Sequence, residues 1–173
     1  MEEAHLPQKA RRKSIAVAVL TISDTRTKAD DKSGKIIREK LLDAGHEVKD
    51  YEICADEGGH IEEQLSKWLS DSSVDAMIFT GGTGIGARDI TVETVTPHFT
   101  KPLDGFGELF RFLSYTEDVG SKALLSRAAA GTIGLQAVFL LPGSSKAVTL
   151  AMDKLIVPEL PHIVHELRKH LET

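Results

Sequence analysis

The chain has almost no cysteine and no excess of positive charge, and both shortages exclude whole classes of protein. A single cysteine among 173 residues, Cys54, rules out an intramolecular disulfide and a cysteine–histidine zinc pattern. This cysteine usage is typical of a reducing compartment, so we expect a cytoplasmic protein. The 21 basic and 26 acidic residues give a net charge of −5, whereas nucleic-acid-binding domains usually carry a basic excess. We therefore expect no nucleic-acid partner.

Long hydrophobic runs are missing as well. The longest strictly apolar runs, 15–20 and 137–141, are far shorter than the roughly 20 residues that span a bilayer. Arg11-Arg12 and the apolar run behind them imitate a twin-arginine export signal, but the polar residues 23–26 stand where a small-residue cleavage site should be. We therefore expect neither a membrane partner nor export.

The remaining composition is that of an ordinary globular domain. Hydrophobic residues make up 41% and charged residues 27% of a chain whose length fits one domain. Residues 1–13 are polar without periodicity and predict a flexible N-terminal tail, which leaves 14–173 as the folded domain. Strands, mostly near-continuous apolar runs typical of a sheet buried on both faces, are predicted over 15–22, 46–54, 74–80 and 136–141.

Segments with a helical pattern of apolar residues alternate with these strands. They predict helices over 34–44, 57–70, 91–98 and 107–119, a helical turn over 121–127, and a helical C-terminus from about Ser145. Pro158 and Pro161 suggest a break or restart of the last helix near Val157. Alternating strands and helices indicate an α/β fold, in which helices wrap a parallel sheet.

Ligands of such sheets bind at the carboxyl ends of the strands, so chemistry is expected in the loops that leave those ends. All four of these loops are rich in Gly, Ser, Thr or Asp, and they span 23–32, 55–59, 81–89 and 142–145. The hydroxyls and amides of the first loop could bind an anion, but ordinary turn and helix-cap chemistry explains them equally well. The same two interpretations stay open for the last loop.

The loop after the third strand carries the strongest signal. Four glycines among residues 81–86 allow backbone N–H groups to approach a ligand, and the start of the following helix favours an anion. The loop is not a P-loop, because no Gly-Lys-Ser/Thr ends it, and its position does not suit a dinucleotide fingerprint. Because a tight turn would need only one or two glycines, we interpret the loop as a phosphate or ligand contact.

Two carboxylates follow neighbouring strands and have two interpretations each. Asp89 could cap the helix that begins near Thr91, or it could hold a divalent cation beside a bound phosphate. Asp56 could cap the second helix in the same way. Mg²⁺ that bridges phosphates is commonly held by one or two carboxylates, so the pair together favours a Mg²⁺ site.

Motifs in all four loops combine into a family pattern. The most specific part is TGGTG at 80–84 with RDITVE at 88–93. Further motifs lie at 21–25, 31–34, 56–57, 125–128 and 141–144, so that the pattern covers about 14–170 in order. On these residues the chain resembles the MoaB/MogA molybdopterin-binding family. The segment 105–111 with 113–115 resembles the MoaB branch in particular.

The resemblance implies a three-layer α/β/α single domain around a mostly parallel sheet. It also implies a role in molybdenum cofactor biosynthesis, with other proteins of that pathway as partners. Family members bind molybdopterin, and active members transfer AMP from Mg·ATP onto its terminal phosphate, giving adenylyl-molybdopterin and pyrophosphate. A protein that only binds or carries molybdopterin is the alternative.

The resemblance also assigns roles to residues of this chain. It makes Asp56 and Asp89 the two catalytic and Mg²⁺-binding carboxylates. The residues it implies in binding molybdopterin and ATP are Ser23, Asp24, Thr25, Asp31, Gly81, Gly82, Thr83, Gly84, Thr91, Glu93, Ser126, Pro142, Gly143 and Ser144.

Aromatic residues are scarce and unevenly spread. Only 5% of the chain is aromatic, yet four of its six phenylalanines lie between positions 99 and 112. Phe106, Leu109, Phe110, Phe112 and Leu113 give the predicted helix there a wide apolar surface. A helix that merely covers the sheet would explain them. The family resemblance instead implies a homotrimer, or a homohexamer made of two trimers.

Overall fold

A six-stranded mixed sheet forms the centre of the computed structural model, which describes residues 14–171. The predicted tail, 1–13, lies outside the described residues. The strands are β1 (Ala16–Ile22), β2 (Glu47–Cys54), β3 (Ala76–Thr80), β4 (Lys101–Pro102), β5 (Ala129–Ile133) and β6 (Gln136–Leu141). Their order in space is β2-β1-β3-β6-β5-β4. Strands β2, β1, β3 and β6 run parallel and β5 runs antiparallel to both its neighbours, so the expected, mostly parallel sheet is confirmed.

Helices cover both faces of this sheet, which confirms the three-layer α/β domain. They are α1 (Lys32–Asp43), α2 (Gly58–Leu69), α3 (Thr91–Val95), α4 (Asp104–Glu117), α5 (Ser145–Ala151) and α6 (Val157–Arg168). The helical turn predicted over 121–127 is a 3₁₀ helix, Gly120–Leu125. Within residues 14–171, no helix has the length and hydropathy needed to cross a membrane.

The alternating side chains of β1 show how one strand supplies two cores. All seven of its residues are buried, which is the reason for its continuous apolar sequence. Val17 and Val19 face a core completed by α1, α4, α5 and α6, whereas Ala18 and Leu20 face a core completed by α2 and α3. Successive side chains of a strand point to opposite faces, so the sheet separates two hydrophobic layers.

The antiparallel strand β5 was missed by the sequence reasoning. Its segment consists largely of alanine and glycine, which have low strand propensity and give no alternating pattern. Packing requires glycine at position 131, because a Cβ added there would lie 2.5 Å from the ring of Phe99. A tight turn that includes Gly134, whose φ is +57°, leads from β5 into β6.

The C-terminal helix contains the discontinuity that its prolines suggested. A π-helical stretch, Met152–Ile156, joins α5 to α6, and α6 begins at Val157. Pro158 lies in the first turn of α6, where a missing N–H costs little because that group has no intrahelical partner. Pro161 lies inside α6, beyond that turn. The chain therefore remains helical through the expected restart.

A buried ion pair fastens this last helix to the base of the sheet. Asp75, just before β3, is 4% exposed, and its Oδ2 accepts a hydrogen bond of 2.9 Å from the Ala16 N–H of β1. Its Oδ1 lies 3.0 Å from Nη2 of Arg168 near the end of α6. One carboxylate therefore links two neighbouring strands and the C-terminal helix at the sheet edge opposite the loops.

Asp75→Ala should lower the free energy of unfolding by about 3–5 kcal/mol, because it leaves a mostly buried guanidinium without its carboxylate. Urea denaturation followed by circular dichroism measures this. The control is Lys67→Ala, which removes an exposed partner of Asp50 at 2.9 Å and should change the midpoint little. Equal effects of the two substitutions would show that burial of the Asp75–Arg168 pair adds nothing to the free energy of unfolding.

Candidate functional site

The four predicted loops meet at the carboxyl ends of β1, β2, β3 and β6, which are neighbours in the sheet. Backbone hydrogen bonds join the strand ends: the Ser23 N–H donates to the Cys54 carbonyl and the Gly81 N–H to the Leu141 carbonyl, each at 2.9 Å. The side chain of Ser33, on α1, donates to the Gly143 carbonyl at 2.6 Å. The four loops in which chemistry is expected therefore contact one another at one edge of the sheet.

Two glycines of the glycine-rich loop are required by its backbone. Gly81 and Gly82 have φ values of +108° and +70°, which side chains rarely permit. A Cβ on Gly81 would overlap the carbonyl oxygen of Ile22, and one on Gly82 would overlap the hydroxyl of Thr91. The turn interpretation thus accounts for these two glycines.

The other two glycines of this loop make room for a carboxylate. Neither Gly84 nor Gly86 has a positive φ, but Cβ atoms there would lie 2.8 and 2.9 Å from Oδ2 of Asp89. The same Oδ2 accepts a hydrogen bond of 2.8 Å from the Gly86 N–H. The loop therefore wraps closely around the Asp89 side chain.

Neither candidate carboxylate caps a helix, so the capping interpretation is wrong for both. The N-caps of α2 and α3 are Glu57 and Ile90, and neither makes a side-chain capping bond. Among residues 14–171, the Asp56 carboxylate makes no hydrogen bond of standard geometry, although a Cβ on Gly82 would lie 3.3 Å from its Oδ1. Asp56 and Asp89 thus border the same glycine-rich loop.

The electrostatics of Asp56 reflect crowding by negative charge. Burial raises its pKa above the ordinary value, and the carboxylates of Asp24 and Asp89 add to this rise while Arg88 opposes it. The backbone N–H of Asp24 also opposes the rise. A carboxylate crowded by negative charge in this way is stabilised by a cation. Within the described part of the chain no group of three or more His, Cys, Asp or Glu side chains is arranged to hold a metal. Asp56 and Asp89 alone could hold Mg²⁺ only if phosphate and water supplied its other ligands.

Asp24 belongs to the same cluster and is ion-paired. Its Oδ2 and Oδ1 accept hydrogen bonds of 2.7 and 2.9 Å from Nε and Nη2 of Arg88. Its Oδ1 also accepts the Asp56 N–H at 3.0 Å. The hydrogen bonds from Arg88 hold the pKa of Asp24 below its ordinary value. The pair ties the loop after β1 to the glycine-rich loop.

Arg127 was missed as a functional residue. Its Nε and Nη2 donate to the Gly84 carbonyl at 3.0 and 2.7 Å, and its Nη1 pairs with Glu93 of α3. Its backbone N–H donates to the Thr83 carbonyl at 3.1 Å. The hydrogen bonds from Arg127 lower the pKa of Glu93. Glu93, which is predicted to contact the ligand, is therefore ion-paired with Arg127.

Arg26 was missed in the same way. Its guanidinium donates to the Ser33 hydroxyl at 3.0 Å and to the Gly143 carbonyl at 3.1 Å. It also lies 3.7 Å from the carboxylate of Asp31. An arginine in a polar loop gives no local sequence signal, since its partners lie up to 117 positions away.

Three of the predicted binding residues have side-chain partners within the fold, and a fourth, Thr83, is buried. Asp31 is 3% exposed and caps α1, accepting from the Gly34 N–H at 3.0 Å and from two hydroxyls. Ser144 caps α5 by accepting the Ala147 N–H at 3.1 Å. Thr83 and Thr91 are buried, and the Thr91 hydroxyl donates to the Gly81 carbonyl at 2.8 Å.

The remaining predicted contacts lie around the mouth of the site. The Ser23 hydroxyl accepts the Thr25 N–H at 3.2 Å, and Thr25 itself is exposed. Ser126 is half-buried, and its hydroxyl accepts the Ala128 N–H at 3.4 Å. The carbonyl of Pro142 accepts the Thr80 hydroxyl at 2.8 Å. The structure thus assembles the predicted residues at one sheet edge, and their contact with a ligand stays a prediction.

Comparisons with known proteins match this chain over most of its length. A family model described as "Probable molybdopterin binding domain" matches residues 18–162. Molybdenum cofactor biosynthesis protein B of Staphylococcus carnosus is 55% identical over 159 residues, which cover 91% of this chain and 93% of the relative.

Solved structures give the same result. A crystal structure of molybdenum cofactor biosynthesis protein B superposes with a TM-score of 0.88 at 50% identity, covering 91% of this chain and 98% of that one. The tungsten cofactor synthesizing protein MoaB of Pyrococcus furiosus superposes with a TM-score of 0.82 at 40% identity, covering 91% and 99%. The resemblance drawn from the sequence is confirmed, and the chain belongs to the MoaB/MogA family of molybdenum cofactor biosynthesis proteins, in its MoaB branch.

Proposed function

We propose that this protein acts in molybdenum cofactor biosynthesis by binding molybdopterin and transferring AMP from Mg·ATP to its terminal phosphate. The observation that carries the proposal is that Asp56 and Asp89 both lie beside the glycine-rich loop, and neither caps a helix. Family membership supports the pterin as the acceptor, because the matching family model describes a molybdopterin-binding domain.

The chemistry asks for positioning and charge neutralisation rather than for a general base. The pterin phosphate is already ionised at neutral pH, so its oxygen can attack the α-phosphorus of ATP directly. The bond between that phosphorus and the bridging oxygen breaks, and pyrophosphate leaves with the electron pair. Backbone N–H groups of the loop 81–86 would orient the phosphates, and Asp56 and Asp89 would hold Mg²⁺. When bound, Mg²⁺ supplies positive charge that offsets the charge of the triphosphate.

A binding or carrier protein without catalysis is the second candidate, and the arginines favour it. Arg26, Arg88 and Arg127 border the site, and each already donates to a carbonyl, a hydroxyl or a carboxylate of this chain. A site without an available guanidinium stabilises the negative charge of the transition state less well. Incubation with molybdopterin, Mg²⁺ and ATP separates the two candidates, because pyrophosphate release supports transfer and tight binding without release supports a carrier.

Asp89→Ala should lower the rate of pyrophosphate release by about 10²–10³, the effect of removing one preorganised electrostatic group from a site. Asp56→Asn should have an effect of similar size. Molybdopterin affinity, measured by pterin fluorescence, should change much less, because the two carboxylates would hold the Mg²⁺ that binds with ATP and would not contact the pterin. Since neither residue caps its helix, the thermal midpoint should stay close to that of the unmodified protein. Unfolding with normal specific activity in the folded remainder would make these carboxylates structural.

Gly84→Ala tests the close approach of the glycine-rich loop to Asp89. Its φ tolerates alanine, but the added Cβ would lie 2.8 Å from the Asp89 carboxylate and displace it. We expect at least about a tenfold loss of pyrophosphate release with little change in thermal stability. The matched control is Gly59→Ala in α2, where an added Cβ meets nothing within 4 Å. Equal activity of the two variants would remove Asp89 from the mechanism.

We also propose that the protein assembles as a homotrimer or homohexamer. The apolar helix α4 divides into two faces, since Phe110 is 1% exposed and Phe106 packs on Phe139, whereas Leu109 and Phe112 are more than half exposed. Further exposed apolar side chains close by in the sequence are Tyr115, Leu124 and Leu125. A wide exposed apolar patch of this kind marks an interaction surface, and closed symmetric assembly is the commonest way to cover one.

Light scattering at micromolar concentration should give the mass of three or six chains. Phe112→Asp should shift that mass toward fewer chains, because it places a charge in the proposed contact. Leu42→Asp is the control, since Leu42 is an equally exposed apolar residue on α1. A monomeric unmodified protein would refute the assembly, and a trimer would refute only its doubling.

A further inference from the structure

One carboxylate oxygen in the site is shared by Arg88 and by the backbone of Asp56. Oδ1 of Asp24 accepts from Nη2 of Arg88 at 2.9 Å and from the Asp56 N–H at 3.0 Å. The guanidinium of Arg88 and the backbone N–H of Asp56 therefore both donate to the same oxygen atom. The positive charge of Arg88 also acts on the Asp56 carboxylate, where it opposes the rise in pKa.

Nothing but Asp24 fixes Arg88 among residues 14–171. The Arg88 side chain is 61% exposed, and its hydrogen bonds of standard geometry all go to the Asp24 carboxylate. A two-bonded arginine–carboxylate pair is a strong and directional contact. The carboxylates of Glu57 and Asp56 also act on this guanidinium. Without the Asp24 carboxylate these two would compete for it, and Asp56 is the one that borders the glycine-rich loop.

We propose that Asp24 is a positioning residue that holds Arg88 away from Asp56 and so keeps Asp56 free for a divalent cation. The proposal rests on the cation-binding role of Asp56 given above, but not on the transfer of AMP. It gives Asp24 a function that differs from direct contact with the ligand and from simple support of the Asp56 backbone. An arginine bound to Asp56 would compete with the cation for the same oxygens.

A set of variants tests this dependence on Arg88. The probe is Mn²⁺ with ATP, whose binding is followed by electron paramagnetic resonance. Asp24→Ala should weaken binding about tenfold in the presence of Arg88. The same substitution should have less than about a threefold effect when Arg88→Gln is already present, because the competing guanidinium is gone. An equal effect in both backgrounds would overturn the proposal and assign Asp24 to direct contact.

Two further variants sharpen the comparison. Asp24→Asn keeps an oxygen for the Asp56 N–H but loses the charge that holds Arg88, so it should weaken binding nearly as much as alanine. Binding as in the unmodified protein would instead indicate backbone support and overturn the proposal. Asp153→Ala is the matched control, because it removes a half-exposed carboxylate that pairs with Lys40 at 2.6 Å and belongs to none of the four loops. It should leave the binding of Mn²⁺ with ATP unchanged.

A ligand-free crystal structure of Asp24→Ala decides the question independently of any cation or nucleotide. The proposal requires the Arg88 guanidinium within 4 Å of the Asp56 carboxylate, and a guanidinium in solvent or paired with Glu57 would overturn it. If the unmodified protein does not bind Mn²⁺ with ATP, the proposed cation site is refuted. The crystal structure of Asp24→Ala still shows which group the Arg88 guanidinium contacts. Should the unmodified protein bind Mn²⁺ with ATP without releasing pyrophosphate, only the transfer of AMP fails.

Discussion

The close approach of the glycine-rich loop to the end of β1 is the constraint on which the site depends. A side chain at Gly81 would overlap the carbonyl oxygen of Ile22, so the loop backbone can lie against the strand only because that residue is glycine. The approach places Gly82 beside Asp56 and lets the buried Thr91 hydroxyl hold the Gly81 carbonyl. Because α3 begins at Thr91, the same contact fixes the direction in which the loop returns. The site is thus a consequence of backbone packing between two parallel strands.

Arginines then divide the acidic side chains of this edge into two groups. Arg88 takes the carboxylate of Asp24, and Arg127 takes that of Glu93 while also holding the Gly84 carbonyl. These two ion pairs neutralise the carboxylates of Asp24 and Glu93, and each pair connects two separate segments of the chain. Asp56 and Asp89 are left without a cationic hydrogen-bond partner in the described part of the chain. The negative charge available to a cation is therefore concentrated on two residues beside one loop.

The sequence allowed the parallel strands and the edge that carries the loops to be predicted, because buried strands and glycine-rich loops leave local patterns. It did not reveal β5, because alanine and glycine have low strand propensity, while Gly131 is required by close packing against the ring of Phe99. For the loop after β1 the sequence left helix-cap and anion-binding chemistry open, and it did not show that Asp31 is a cap buried in the fold. The pairing of Arg88 with Asp24 joins residues 64 positions apart, and nothing near either residue indicates its partner.

The distribution of charge also bears on which anions this site would accept under the proposed function. A nucleotide without a metal would bring several negative charges to a protein whose net charge is −5 and whose nearby arginines are already engaged. Backbone N–H groups of the loop can orient phosphates but carry only partial charge. The carboxylates of Asp56 and Asp89 would repel the free nucleotide and attract its complex with a divalent cation. Selectivity for the metal-bound nucleotide would then follow from leaving these two carboxylates unpaired, since pairing either one with an arginine would remove the preference.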